Sequence, residues 1–313
     1  MPRAVVDADI PVPVDIEPLR GRPSALEVEV VPSDTLVDRP IDADILITSN
    51  GSWDDRYLSG LGPGDWVQTI GAGYDRFPID RFAAEGIMLT NAPGIHDQSA
   101  GEHVMALMLS FARRLHEFRD AQRDRRWDRV YGTELAERRV TILGMGNIGE
   151  AIAARARAFD MDVRAIKRDV DAYEGSLDAE QLATPDGLDA LLPSTDYLVV
   201  VLPLTDSTRN LVDEATFAAL PDSAVLINIA RGGVVDETAL VDALERGTIA
   251  GAGLDVFESE PLPAESPLWT FENAVLTPHL AGVSDRYMER FADVFLSMYD
   301  SWVAADPLEH RVV

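Results

Sequence analysis

Short β-branched runs alternate with helix-like stretches from Val140 onward: VTILG, VRAI, DYLVVVL, AVLINIA, AGAGLDVF and AVLTPH, with segments such as ETALVDALERG between them. Runs of this length, bounded by Gly, Pro or Asp and separated by helical stretches, predict βα units of a parallel, doubly wound sheet. The earlier part of the chain repeats the rhythm less clearly in ADILITSN, DWVQTIG and GIMLTN, which predicts a second α/β domain. Between them Val104, Leu107, Met108, Phe111, Leu115 and Phe118 recur at helical spacing, predicting one long helix from Ser99 to about Asp124. Its start, Ser99-Ala100-Gly101-Glu102, reads as a capping box. A final apolar helix is expected from Ser284 to about Ala304.

The chain's 313 residues exceed what one hydrophobic core usually serves, which agrees with two domains. Composition changes the picture in two ways. The net charge of −27 discourages nucleic acid or an anionic membrane as partner. The acid is dispersed, and 26 of the 27 basic residues are Arg, a pattern expected of adaptation to concentrated salt, where the Debye length falls to about 3 Å. With no cysteine, disulfides, thiolate metal sites and cysteine nucleophiles are excluded, and no metal site is expected. No signal-like N-terminus and no apolar run of about 18 residues is present, so a cytoplasmic location is expected, and the sequon Asn50-Gly51-Ser52 is read as chance.

The stretch VTILGMGNIG feeds an apolar strand into Gly144, Met145, Gly146, Asn147, Ile148 and Gly149, then an alanine-rich helix. The first glycine permits the tight turn, the second lets backbone amides approach a pyrophosphate, and the third lets helix and strand pack closely. This predicts a Rossmann-type cofactor domain. The only lysine, Lys167, stands beside Arg168 at the end of the next strand, where an NAD enzyme carries an acid for the ribose hydroxyls. Two cations there would pair a 2′-phosphate, so NADP(H) is expected over NAD(H), which stays possible.

Arg231, Glu260 and His279 each follow a predicted strand, in NIARGGVVDETAL, GAGLDVFESEP and LTPHLAG. That places all three at the carboxyl edge of the sheet, where open α/β sheets bind ligands. Taken singly, each residue is an ordinary loop residue. Together, a guanidinium to pair a carboxylate and polarise a carbonyl, and a histidine with a carboxylate partner to move a proton, suit a 2-oxo acid.

These motifs, with VVLPLTDSTRNLV, GAGYD and SAGEHVMALML, span most of the chain and resemble the D-specific 2-hydroxyacid dehydrogenases. That family includes glyoxylate/hydroxypyruvate reductases, phosphoglycerate dehydrogenases, formate dehydrogenases and the C-terminal-binding corepressors. The resemblance implies that Arg231, Glu260 and His279 are the catalytic set, with Arg231 also on the substrate. It adds Leu202, Pro203, Thr208, Ile229, Ala230, Asp255, Ala281 and Gly282 as cofactor contacts. Ala72 and Gly73, in Gly71-Ala72-Gly73, would present amides to the substrate carboxylate. It also implies a smaller, flavodoxin-like substrate domain, residues 1–98 and 284–313, around a cofactor domain, residues 99–283, and a homodimer formed through the latter.

Two departures bear on function: Lys167 replaces the expected acid, and the chain stops at Val313, where the regulated phosphoglycerate dehydrogenases have a further domain. Formate dehydrogenase is disfavoured because that branch has glutamine at the place of Glu260. The expected activity is reduction of 2-oxo acids to D-2-hydroxy acids; the alternative is a dinucleotide-sensing, corepressor-like interaction protein. Side-chain selection is expected near Asn50 to Asp54, Trp269 and Tyr287, and His96, His103, His116 and His310 are read as structural or solvated.

Overall fold

A computed structural model describes residues 1–20, 26–38 and 41–313. Two compact units divide the chain: Met1–His96 with Val283–Val313, and Asp97–Gly282.

The first unit is built on five parallel strands, β1 (Arg3–Asp7), β2 (Glu27–Val31), β3 (Ile45–Thr48), β4 (Trp66–Thr69) and β5 (Met88–Thr90), in the order β2-β1-β3-β4-β5. β3 and β4 are buried along their whole length, as strands covered on both faces must be. Among its helices are α1 (Glu17–Arg20), α2 (Ser33–Asp38) and α3 (Ile79–Glu85). One apolar cluster joins Ile45, Ile47 and Trp66 to Phe291, Phe295 and Tyr299; the other joins Leu46 and Val67 to Leu36, Tyr57, Phe77 and Phe82. The sheet is therefore doubly wound, in flavodoxin-like order. The runs expected from the sequence are β3, β4 and β5. β1 and β2 were not expected; β2 (EVEVV) is an edge strand whose two glutamates are exposed, so it lacks the apolar run that marks its neighbours.

In the second unit, α4 (Asp97–Ala112) and α5 (Leu115–Arg123) precede seven parallel strands. These are β6 (Arg139–Leu143), β7 (Asp162–Ile166), β8 (Leu182–Ala183), β9 (Tyr197–Val200), β10 (Val225–Asn228), β11 (Gly251–Leu254) and β12 (Ala274–Leu276), in the order β12-β11-β10-β9-β6-β7-β8. α6 (Asn147–Ala158), α7 (Leu188–Leu191), α8 (Glu214–Ala219) and α9 (Glu237–Arg246) connect them, and α10 (Tyr287–Val303) returns to the first unit. One face of the sheet packs on α4 and α6, through Val104, Met108, Ile152 and Ala156; the other packs on α8 and α9, through Phe217, Leu240 and Leu244. Chain order reverses between β6 and β9, so the crevice outside their carboxyl ends is the switch point of a Rossmann-type sheet.

Three local expectations are corrected. The long helix is two helices, because Arg114 is left-handed (φ 56°) and the Ala112 carbonyl accepts from Thr133 N at 2.7 Å. Ser99 is not a cap: the helix already begins at Asp97, and the Ser99 hydroxyl donates to the Gly282 carbonyl at 2.8 Å. The last helix starts at Tyr287 rather than Ser284. Among the described residues no helix is long and apolar enough to cross a membrane.

Candidate active site

β6 delivers the chain into Gly144, whose φ of 109° is open to glycine alone; a Cβ there would stand 2.8 Å from the Val201 carbonyl oxygen. At Gly149 a Cβ would lie 2.3 Å from the Gly144 carbonyl oxygen, so glycine is what lets α6 pack against the turn. Gly146 differs: it caps α6 without a side-chain hydrogen bond, and a Cβ placed on it meets nothing within 4 Å. An open space over the unpaired amides of a helix N-terminus fits a dinucleotide pyrophosphate. Met145 is buried, while Asn147 and Ile148 begin the helix.

At the end of β7 the Lys167 ammonium donates to the Met145 carbonyl at 3.0 Å and lies 5.4 Å from the Tyr173 ring centroid. The expected 2′-phosphate ligand is thus fixed to the glycine-rich turn itself. Arg168 is exposed. After β9, the Thr208 hydroxyl donates to the Pro203 carbonyl at 2.6 Å and accepts from Thr205 N, shaping the turn that carries Leu202 and Pro203. After β10, Asn228 ties down the next turn, accepting from Ala230 N at 3.1 Å and donating to the Arg231 carbonyl at 3.2 Å; Ile229 and Ala230 are buried.

The catalytic candidates occupy three adjacent loops of this unit, after β10, β11 and β12. His279 Nδ1 lies 2.7 Å from Glu260 Oε2; an ionised carboxylate only accepts, so Nδ1 carries the proton in this contact. Burial pushes the Glu260 carboxyl up, but the hydrogen bonds from His279 and Phe257 N and the charges of His279 and Arg231 outweigh it and hold the group below its ordinary value. Glu260 therefore stays ionised as the partner of the imidazole. Close packing makes the arrangement possible: a Cβ on Gly232 would stand 1.9 Å from the Phe257 carbonyl carbon, so the loop of Arg231 can approach that of Glu260 only through glycine.

His279 sits at φ 56°, a conformation that costs a non-glycine residue on the order of 1–3 kcal/mol. Asp255, 1% exposed, holds it there. Its carbonyl accepts from His279 N at 2.8 Å, and its carboxylate accepts from the Thr277 hydroxyl at 2.6 Å, Leu280 N at 2.9 Å and Ala281 N at 2.8 Å. Asp255 thus clamps the loop that carries His279.

Residues 105–281 match the family model described as D-isomer specific 2-hydroxyacid dehydrogenase, NAD binding domain. The chain belongs to this family. It is an enzyme, an oxidoreductase that binds a nicotinamide dinucleotide. It is 39% identical over 250 residues to glyoxylate/hydroxypyruvate reductase B of Yersinia pestis strain Pestoides F, covering 77% of this chain and 75% of that one. The corresponding reductase of Pectobacterium carotovorum is 37% identical over 289 residues, 89% and 87% of the two chains. A crystal structure of the NADPH-dependent glyoxylate/hydroxypyruvate reductase of Sinorhizobium meliloti, in complex with NADP and malonate, superposes with a TM-score of 0.80 at 30% identity, over 100% of this chain and 97% of that one.

Several residues around these loops carry structural weight, among them His103, one of the histidines expected to be structural or solvated. His103 on α4 places Nε2 3.0 Å from the Thr277 hydroxyl; because that hydroxyl gives its proton to Asp255, His103 donates and extends the clamp. Burial pushes the His103 imidazole down, and the Asp255 charge offsets part of this. Asn228 and Gly232 also act through loop geometry. A lone histidine at a helical position gives no such signal, whereas the glycine pair in ARGGVV marks a close approach.

In the first unit, the Gly71 and Ala72 carbonyls accept from Ala92 N and Asn91 Nδ2, both at 2.9 Å, which fixes the turn that leads to Gly73. His96 stands beside it: a Cβ on Gly71 would lie 3.2 Å from His96 Nε2. Tyr287 is buried and donates to the Ile70 carbonyl at 2.9 Å, and Trp53 packs on Tyr57, Phe77 and Phe82, so both support the unit's core. Trp269 is exposed, with its indole N–H on the Pro263 carbonyl. His116 contacts the Ser110 carbonyl and the Phe111 ring, and His310 is exposed.

Proposed function

We propose that the chain is an NADP(H)-dependent reductase of small 2-oxo acids, producing D-2-hydroxy acids. The observation that carries the reading is the His279–Glu260 contact, with the Arg231 charge beside Glu260, at the carboxyl edge of a dinucleotide-binding sheet. The reduced nicotinamide supplies a hydride to the carbonyl carbon. Arg231 pairs the substrate carboxylate and polarises its carbonyl, His279 gives a proton to the carbonyl oxygen, and Glu260 stabilises the imidazolium that donates it. In the first unit, the amides of Ala72 and Gly73 are proposed as donors to a carboxylate.

The cofactor preference rests on Lys167, anchored at Met145, and on Arg168 beside it, where an acid would repel a 2′-phosphate. Relatives named glyoxylate/hydroxypyruvate reductases support short 2-oxo acids as the substrate class. We further propose a homodimer through the cofactor-binding unit, supported by Leu115, Trp127 and Tyr131, which are 54%, 90% and 92% exposed on and after α5. Adaptation to concentrated salt is proposed from the net charge of −27 and the near absence of lysine.

NADPH oxidation measured with a panel of 2-oxo acids, with chiral analysis of the products, tests the reading. Turnover to the D-product is expected; absence of turnover with every acid would overturn it in favour of a dinucleotide sensor.

A further inference from the structure

The segment after β7 folds back onto the first turn of α6. The Tyr173 hydroxyl donates to Glu150 Oε1 and accepts from Leu177 N at 3.1 Å, while Glu150 Oε2 accepts from Ser176 N at 3.2 Å. Gly175 is what lets the fold-back close: a Cβ there would come within 2.0 Å of Glu150 Oε1 and 2.5 Å of the Tyr173 ring. Arg157 secures the same segment by donating to the Ser176 carbonyl at 2.6 Å. Burial, together with the Glu150 hydrogen bond, pushes the Tyr173 phenol up, so it remains a donor. The product of these contacts is an aromatic ring held 5.4 Å from the Lys167 ammonium, within cation–π range.

We propose that Tyr173, braced by Glu150, is a specificity-determining positioning residue. Its ring and the Met145 carbonyl together hold the Lys167 ammonium at the glycine-rich turn, and so give the site its selectivity for a dinucleotide carrying a 2′-phosphate. The inference rests on the NADP(H) reading above. A free lysine loses much rotamer freedom when it pairs a ligand; one already fixed on a carbonyl and a ring has lost that freedom before the ligand arrives. The ammonium has three N–H donors, and the Met145 carbonyl takes one, which leaves donors for a phosphate. In a protein of net charge −27 a diffuse positive field is not available, so selectivity depends on a short, directional contact of this kind.

The test is calorimetric binding of adenosine 2′,5′-bisphosphate and of AMP to the full-length wild type, Tyr173→Leu, Tyr173→Phe and Lys167→Ala. Wild type is expected to bind the bisphosphate at least about tenfold tighter than AMP. Tyr173→Leu and Lys167→Ala should weaken the bisphosphate about tenfold and leave AMP within about twofold, whereas Tyr173→Phe, which keeps the ring but loses the hydroxyl that Glu150 braces, should weaken the bisphosphate by an amount between wild type and Tyr173→Leu and leave AMP within about twofold. An unchanged bisphosphate-to-AMP ratio in Tyr173→Leu, whether from no effect or from parallel loss of both ligands, would overturn the role of Tyr173 while leaving the cofactor reading intact. A wild type that does not distinguish the two ligands would overturn the cofactor reading, and the proposal with it.

Discussion

Gly232 and Phe257 approach so closely that a single methyl group would separate them: a Cβ on Gly232 would stand 1.9 Å from the Phe257 carbonyl carbon and 2.1 Å from its oxygen. Both partners there are backbone, so neither can rotate away. Gly232→Ala should therefore push the Arg231 loop off the Glu260 loop, lowering kcat/KM by about 100-fold and the melting temperature by several degrees. Gly233→Ala is the control, since the three atoms nearest its Cβ would be side-chain atoms of Leu204 and Arg209, the closest at 3.3 Å. Steady-state kinetics and melting curves on the two variants decide the matter; equal behaviour would contradict it.

Glu260→Gln keeps the shape of the His279 contact and removes the charge. The expected result is a fall in kcat/KM of about 10- to 100-fold, within the range for losing support of a general acid. The sign of the pH effect follows from a carboxyl held below its ordinary value: its stabilising contribution is complete above about pH 4.3 and is lost as pH falls through the folded-state value. The gap in unfolding midpoint between wild type and Glu260→Gln should therefore be largest near neutrality and close in acid, as urea titrations at several pH values would show.

His103 gives a second pH dependence. Its imidazole is held below its ordinary value of about 6.5, so the unfolded chain binds the extra proton first. Stability is fully present above about pH 6.5 and is lost as pH falls through the folded-state value. Melting temperatures at pH 7.5 and pH 5.5 should drop further in wild type than in His103→Gln, which retains an N–H for Thr277. Parallel drops in the two proteins would contradict this account.

The dispersed acid implies that salt stabilises the fold. With repulsion screened over about 3 Å at molar ionic strength, the unfolding midpoint should rise between dilute buffer and molar potassium chloride. A flat or falling midpoint would remove the salt-adaptation reading.

The parallel sheets are legible in the sequence because buried strands read as apolar runs between turns, and the glycine spacing marks the cofactor edge. β2 is not legible because its exposed glutamates make it resemble a polar segment. The break at Arg114 was invisible because the apolar spacing continues across it; the contact that diverts the Ala112 carbonyl comes from Thr133, far along the chain. The same holds at the site. Motifs pointed to Arg231, Glu260 and His279, but the clamp by Asp255, Thr277 and His103 and the fold-back of Tyr173 onto Glu150 depend on tertiary contacts that no local pattern encodes.

The central claim is that His279 moves the proton while the dinucleotide is held elsewhere. Single-turnover oxidation of bound NADPH by a 2-oxo acid, in wild type and His279→Ala, measures this most directly, with NADPH affinity determined by fluorescence titration on the same samples. The account predicts a rate lowered by about 100- to 10,000-fold with the affinity unchanged within about twofold. A His279→Ala enzyme that oxidises NADPH at close to the wild-type rate would contradict it.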